Sequence, residues 1–257
     1  MSTPPFTPNP VIDALTKEIS DLVGRLSADS SIAPTPRLRR QLQIQTVHSS
    51  VIIEGNTLPA HIVTAIFNGQ RVIGPAKDIQ EVRGAKNAYD IASHLNPYSQ
   101  EDLLRAHGIM MENLTPDAGH YRTGNAGVFN GTELIHMGTP AKVLPQVMTS
   151  LFEWLSSDTS HPVLRSSIFH YEFEFIHPFS DGNGRMGRLW HTLLLSQWHP
   201  LFWWAPIESG ILARQEEYYS ALMEANRSGP SERFVAYMLE VIRDSLLSFQ
   251  SQSKESP

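Results

Sequence analysis

A mostly helical fold carrying one small β-hairpin is what this sequence predicts. Three observations predict it. Apolar residues recur at helical spacing through most of the chain. Breaks containing proline separate those segments. A hairpin signal occurs once, in GVFNGTELIHM, where Asn130-Gly131 can close a tight turn between apolar flanks.

The elements come in this order. Residues 1–10 hold four prolines and read as a loose tail. In VIDALTKEISDLVGRL, Ile12, Leu15, Ile19, Leu22, Val23 and Leu26 form one apolar helix face. After the break SADSSIAPTP, RLRRQLQIQTVHSSVIIEG reads as a second helix, with Gly55 suited to the left-handed position that ends it. Thr57 is placed to cap a third helix, with Pro59 in its first turn. DIQEVRGAKNAYDIASHL and SQEDLLRAHGIMMENL are two further helices, broken at Asn96-Pro97, with Ser99 as the second one's cap. Beyond the hairpin come PQVMTSLFEWLSS, a segment with Phe169, Phe173 and Ile176 on one face, GRLWHTLLLSQW, EEYYSALMEANRS and SERFVAYMLEVIRDSLLSF.

Composition narrows the function. With 257 residues, 41% of them hydrophobic and 18% charged, the chain can bury one sizeable core and is not of disordered composition. A net charge of −6 argues against a nucleic-acid surface, and the basic knot Arg37, Arg39, Arg40 reads as a solvated helix face. No cysteine is present, which excludes thiolate sites and disulfides. The start does not resemble a secretory signal, and LLLSQWHPLFWWAPI is too interrupted to span a bilayer. The expectation is a cytoplasmic protein with neither a membrane nor a nucleic-acid partner.

The chemistry concentrates in HPFSDGNGRMGR, His177 to Arg188. Gly182, Gly184 and Gly187 spell G-x-G-x-x-G, a dinucleotide fingerprint. Too little chain remains after it to complete a doubly wound sheet, and that remainder has helical periodicity. The alternative uses every residue. A helix ends before Pro178, and a loop leads into a new helix near Asn183 or Gly184, whose free N–H groups and dipole cradle an anion. Arg185 and Arg188 lie three apart on one face of that helix, and two guanidiniums aimed at one place suggest more than one phosphate. Asp181 is a hard oxygen ligand for Mg²⁺, and His177 is a base that works near pH 7. The remaining histidines, His107 and His170 among them, lack tight zinc-like spacing and are given no role.

This stretch resembles the Fic family signature, H-x-F-x-[DE]-G-N-G-R-x-x-R, at every fixed position. GHYRT, at 119–123, looks like the lead into the family's flap, and the Asn130-Gly131 hairpin falls where that target-docking flap is expected. YYSALMEAN is similar to the part whose second tyrosine and asparagine, here Tyr219 and Asn226, line an adenosine site. The resemblance covers roughly Arg37 to the C-terminal helix, and the expected division is 1–36 as an N-terminal tail and helix, 37–95 as helices including the inhibitory motif, 96–250 as the catalytic core, and 251–257 as a disordered tail.

The resemblance also implies a protein adenylyltransferase. His177 would deprotonate a Ser, Thr or Tyr hydroxyl on a target, which would attack the α-phosphate of ATP. Asp181 would hold Mg²⁺. Gly182, Asn183, Gly184 and Arg185 would bind phosphates, and Arg188 would grip the γ-phosphate. HSSVIIEGN resembles the family's inhibitory motif S-x-x-x-E-[GN]; Ser50 and Glu54 share a helix face, and Glu54 would pair with Arg188 and misalign ATP. ATP, a target protein and the chain itself, through self-modification, are the implied partners. Removal of AMP, or transfer of another nucleotide or phosphate-linked group, is the alternative that the same site allows.

Overall fold

The computed structural model describes residues 4–29, 32–130, 133–229 and 231–255. Helix α1 spans Pro10–Ala28. Asn9 starts it by accepting the N–H groups of Val11 and Ile12, and the six apolar residues of its predicted face are all buried. That face packs along α11, Glu232–Glu255, so the N-terminal helix belongs to the main core. The tail expected from residue 251 is instead helical as far as Glu255, and Ser253 is buried. Apolar periodicity had faded there, but the backbone keeps its helical hydrogen bonds through polar residues.

Helix α2, Pro36–Ile53, is capped by Thr35 and closes at Gly55, whose φ of 87° is the left-handed value expected. Helix α3, Ala60–Phe67, departs from expectation at its start. Thr57 does not cap it; its N–H and hydroxyl both donate to the Asp78 carboxylate, a stronger acceptor offered across the loop by α4, Ala76–Ile91. The basic knot is exposed, as expected of a solvated helix face, with Arg40 also donating to the Phe67 carbonyl and to Asn68 and Arg39 lying over the Trp204 ring. Helix α5, Gln100–Met110, does begin at a Ser99 cap.

Strands β1, Gly127–Asn130, and β2, Glu133–Met137, pair antiparallel with an irregularity between Val128 and Phe129. They connect through Gly131 and Thr132, which lie outside the described residues, as does the closure expected at Asn130-Gly131.

Helix α6 is Leu144–Ser157, α7 is Pro162–Ile176 and α8 is Asn183–Trp198. The short α9, Ile207–Ala213, was not foreseen; α10 is Gln215–Ser228. Helices α7 and α8 pack on each other and are buried nearly all round, polar residues included, as central helices are. Because α8 is buried, its two arginines are buried with it, and each must find counter-charges inside the protein. Among the described residues no helix is long and apolar enough to cross a membrane.

Candidate active site

The site begins where α7 stops. Pro178 disfavours helix at His177, which instead takes a left-handed conformation with φ 53°. A non-glycine residue there is strained by about 1–3 kcal/mol and needs an external hold. Arg122 provides it. This buried guanidinium donates to the carbonyls of His177 (2.7 Å), Ile176 (3.3 Å), Gly124 (2.8 Å) and Thr139. The Arg122 N–H also reaches the Pro178 carbonyl, at 3.0 Å. One side chain therefore ties the end of α7 to both approaches of the strand pair.

The loop after Pro178 is pinned from beneath. Phe179 is fully buried and stacks on His107, with ring centroids 3.6 Å apart. His107 accepts the Gly119 N–H at Nδ1 (2.9 Å), so Nε2 carries the hydrogen and donates to the Asp181 carbonyl (3.0 Å). Burial pushes the His107 pKa down to about 4, keeping the ring in this neutral form. Asn183 closes the loop with its amide, accepting the Phe179 N–H and donating to the Phe179 carbonyl, both at 2.9 Å. Replacing Asn183 with Leu is expected to cost about 2–3 kcal/mol through these two lost bonds. Thermal unfolding checks it, and an unchanged midpoint would show the bonds to be idle.

Gly182 enters α8 with φ 86°, a conformation that suits glycine. The first bond of the helix runs from the Met186 N–H to the Gly182 carbonyl (2.9 Å), so the N–H groups of Asn183, Gly184 and Arg185 precede the intrahelical ladder. This is an anion cradle built from backbone.

The two arginines do not converge on one place, as their spacing had suggested. Arg185 turns toward α4: Nη2 donates to Asp181 Oδ1 (3.0 Å), and Nη1 lies 3.7 Å from Glu81, itself held by Asn56. Arg188 turns toward α2: Nη2 donates to Glu54 Oε1 (2.8 Å) and the Ser50 carbonyl (2.9 Å), and Nε to the Ser50 hydroxyl (3.2 Å). Burial alone would lower the Arg188 pKa, but Glu54 above all outweighs it and the net shift is upward. Side-chain direction around a helix separates residues three apart when each finds a counter-charge on a different neighbour.

Glu54 also lies against the start of α8, since a Cβ on Gly184 would stand 2.3 Å from its Oε1. A carboxylate of the chain itself thus lies against the first turn of α8. Being at the end of α2 is unfavourable for it, and the N-terminal dipole of α8 and Arg188 offset that.

Tyr219 is 41% exposed and donates to the Ile53 carbonyl (3.1 Å), which Gln215 also reaches (3.0 Å). Asn226 accepts from the Tyr171 hydroxyl (3.2 Å). Asp181 is half exposed, and its Oδ1 accepts the Gly182 N–H. No cluster of three or more His, Asp or Glu able to hold a metal exists among the described residues. A single carboxylate is what suits a cation that takes its other ligands from phosphate and water. Arg122 and His107 escaped the reading of the sequence; the one hint was that GHYRT stood in the segment before the strands.

A mostly helical protein, with a buried helix whose free first-turn N–H groups lie beside an arginine–carboxylate pair, is the class that the fold and site define. The sequence profile of the Fic/DOC family matches residues 97–195. A crystal structure of a Fic family protein from Desulfovibrio desulfuricans G20 superposes with a TM-score of 0.92 at 44% identity, over 96% of this chain and 76% of that one. The chain belongs to the Fic family. It is also 30% identical to protein adenylyltransferase fic-1 of Caenorhabditis briggsae, over 90% of this chain and 46% of the relative. To protein adenylyltransferase Fic of Nematostella vectensis it is 28% identical, over 93% and 58%. The chain spans about half the length of these curated relatives.

Proposed function

We propose that the chain is a protein adenylyltransferase, moving AMP from Mg²⁺-bound ATP to a Ser, Thr or Tyr hydroxyl of a target protein, and that Glu54 restrains it in cis. The observation that carries the reading is the Arg188–Glu54 pair, whose carboxylate lies against Gly184 in the first turn of α8. The names of the relatives agree with adenylyl transfer.

In this reading His177 takes the proton of the incoming hydroxyl. The hydroxyl oxygen forms its bond to the α-phosphorus, the bond to the α–β bridging oxygen breaks, and pyrophosphate leaves. The N–H groups around Gly182, Asn183 and Gly184 hold phosphate oxygens, and the buried Arg185 adds positive field beside Asp181. Asp181 fits a Mg²⁺ ion, which when bound supplies neutralisation of phosphate charge. Arg188 takes the γ-phosphate only after leaving Glu54. Tyr219 and Asn226, on α10, receive the adenosine. An extended target segment adds to the edge of the β1–β2 pair, and the chain itself is one such target.

Two labels test the reaction class. Protein-bound radioactivity is expected from ATP labelled at the α-phosphate and not from ATP labelled at the γ-phosphate, with unlabelled ATP the best competitor among the four ribonucleotides. Retention of γ-label means phosphoryl transfer and overturns the proposal. Stronger competition by GTP, UTP or CTP overturns the choice of base.

A further inference from the structure

A second carboxylate lies within electrostatic reach of Arg188. Glu174 stands on α7 three residues before His177, only 11% exposed, and its Oε1 has no hydrogen-bond partner among the described residues. A Cβ on Gly187 would lie 2.4 Å from that oxygen, much as one on Gly184 would meet Glu54 at 2.3 Å. Two carboxylates therefore lie against successive glycines of α8, and Arg188 Nη1 is likewise without a hydrogen-bond partner among the described residues.

The groups facing Glu174 come from four helices. They are His170 on its own helix, with Nε2 3.7 Å away, Arg188 on α8, Glu54 at the end of α2, and Tyr218 and Tyr219 on α10. His170 and Glu174 have the spacing of an ion pair but not its charges. Burial, then His191 and Arg188, hold His170 well below its usual pKa. Burial pushes Glu174 up to about 8, against the pull of Arg188 and with help from Glu54. At neutral pH both groups are uncharged.

We propose that Glu174 is a positioning residue of the terminal-phosphate subsite: neutral, it lets a triphosphate take Arg188 from Glu54; ionised, it holds Arg188 itself and repels the phosphate. This rests on reading the start of α8 as a nucleotide site. A neutral carboxylic acid offers a donor to a phosphate oxygen, whereas a carboxylate offers only acceptors and like charge. Glu54 is then not the sole competitor for Arg188, and removing it both frees the arginine and withdraws a repulsion. Both changes favour ionised Glu174, so in a Glu54→Gly chain the inflection moves below about 8.

The sign is fixed by linkage. The triphosphate prefers protonated Glu174, so affinity is full below the free protein's pKa and falls about tenfold per pH unit above it. The test titrates the Glu54→Gly chain with Mg-ATP and with Mg-ADP between pH 7 and 9.5 at saturating Mg²⁺. The ATP affinity is expected to fall at that slope, the ADP affinity to stay level because the terminal phosphate is missing, and Glu174→Gln to flatten the ATP profile. A level ATP profile, parallel loss of both nucleotides, or a Gln chain that keeps the slope overturns the proposal. Should Glu174→Gln fail to fold, the ATP–ADP difference decides alone. Failure of ATP to bind at any pH would instead remove the nucleotide site itself, an outcome distinct from binding with a level profile.

Discussion

Glu54→Gly is expected to raise incorporation of label from α-labelled ATP by ten- to a hundredfold. The size of the effect comes from the contact that is lost. Glu54 holds Arg188 by one charge-assisted hydrogen bond of 2.8 Å, a type worth about 1.5–3 kcal/mol, and a triphosphate must break it before its terminal group is seated. That range is a ten- to hundredfold change in the population able to bind productively. The same substitution strands a buried charge. Removing one partner of a buried pair costs about 3–5 kcal/mol. Glu54 is 30% exposed and Ser50 keeps its two bonds, so about 1–3 kcal/mol is the expected loss. Mg-ATP at a hundred times its Kd should return about 2.7 kcal/mol to the variant and less to the parent chain. Equal labelling of the two chains would remove Glu54 from the regulation, whatever happened to stability.

His177→Ala is expected to lower labelling by about 10²–10⁴-fold, the usual contribution of a positioned general base. Nucleotide affinity should hold, because the cradle on α8 is assembled by Asn183, His107 and Phe179. Loss of binding and labelling together would mean that His177 supports the loop instead of accepting a proton. The backbone gives a reason to expect the separation. His177 is kept left-handed by Arg122 through its carbonyl, a contact alanine retains. The Glu54→Gly background makes the measurement cleaner, since the parent signal is then high enough to register a large loss.

Much of this was legible in the residues. Helical periodicity placed α1, α2, α7 and α8, and the resemblance of HSSVIIEGN to an inhibitory motif implied the contacts that Ser50 and Glu54 make with Arg188 across more than a hundred residues. What stayed hidden was structure made by distance. Arg122 binds four carbonyls, and no side-chain pattern announces a carbonyl. His107 looked like any histidine on an amphipathic helix until Phe179 arrived to stack on it. The divergence of Arg185 from Arg188 was set by Glu81 and Glu54 on different helices, which the three-residue spacing could not express. Glu174 alternated with aromatics in a run read for its apolar face, and its carboxylate gained meaning only beside the backbone of Gly187.

The pairing of α1 with α11 has a cost during synthesis. Thr7 bonds to Glu232, 225 positions later, and the apolar stripe of α1 packs on a helix that is made long after it. At roughly 5–20 residues per second, a ribosome leaves that stripe without its partner for roughly 10–45 s. Nascent chains should therefore need a chaperone's cover over α1, and a stalled message would release a sticky, unfinished product.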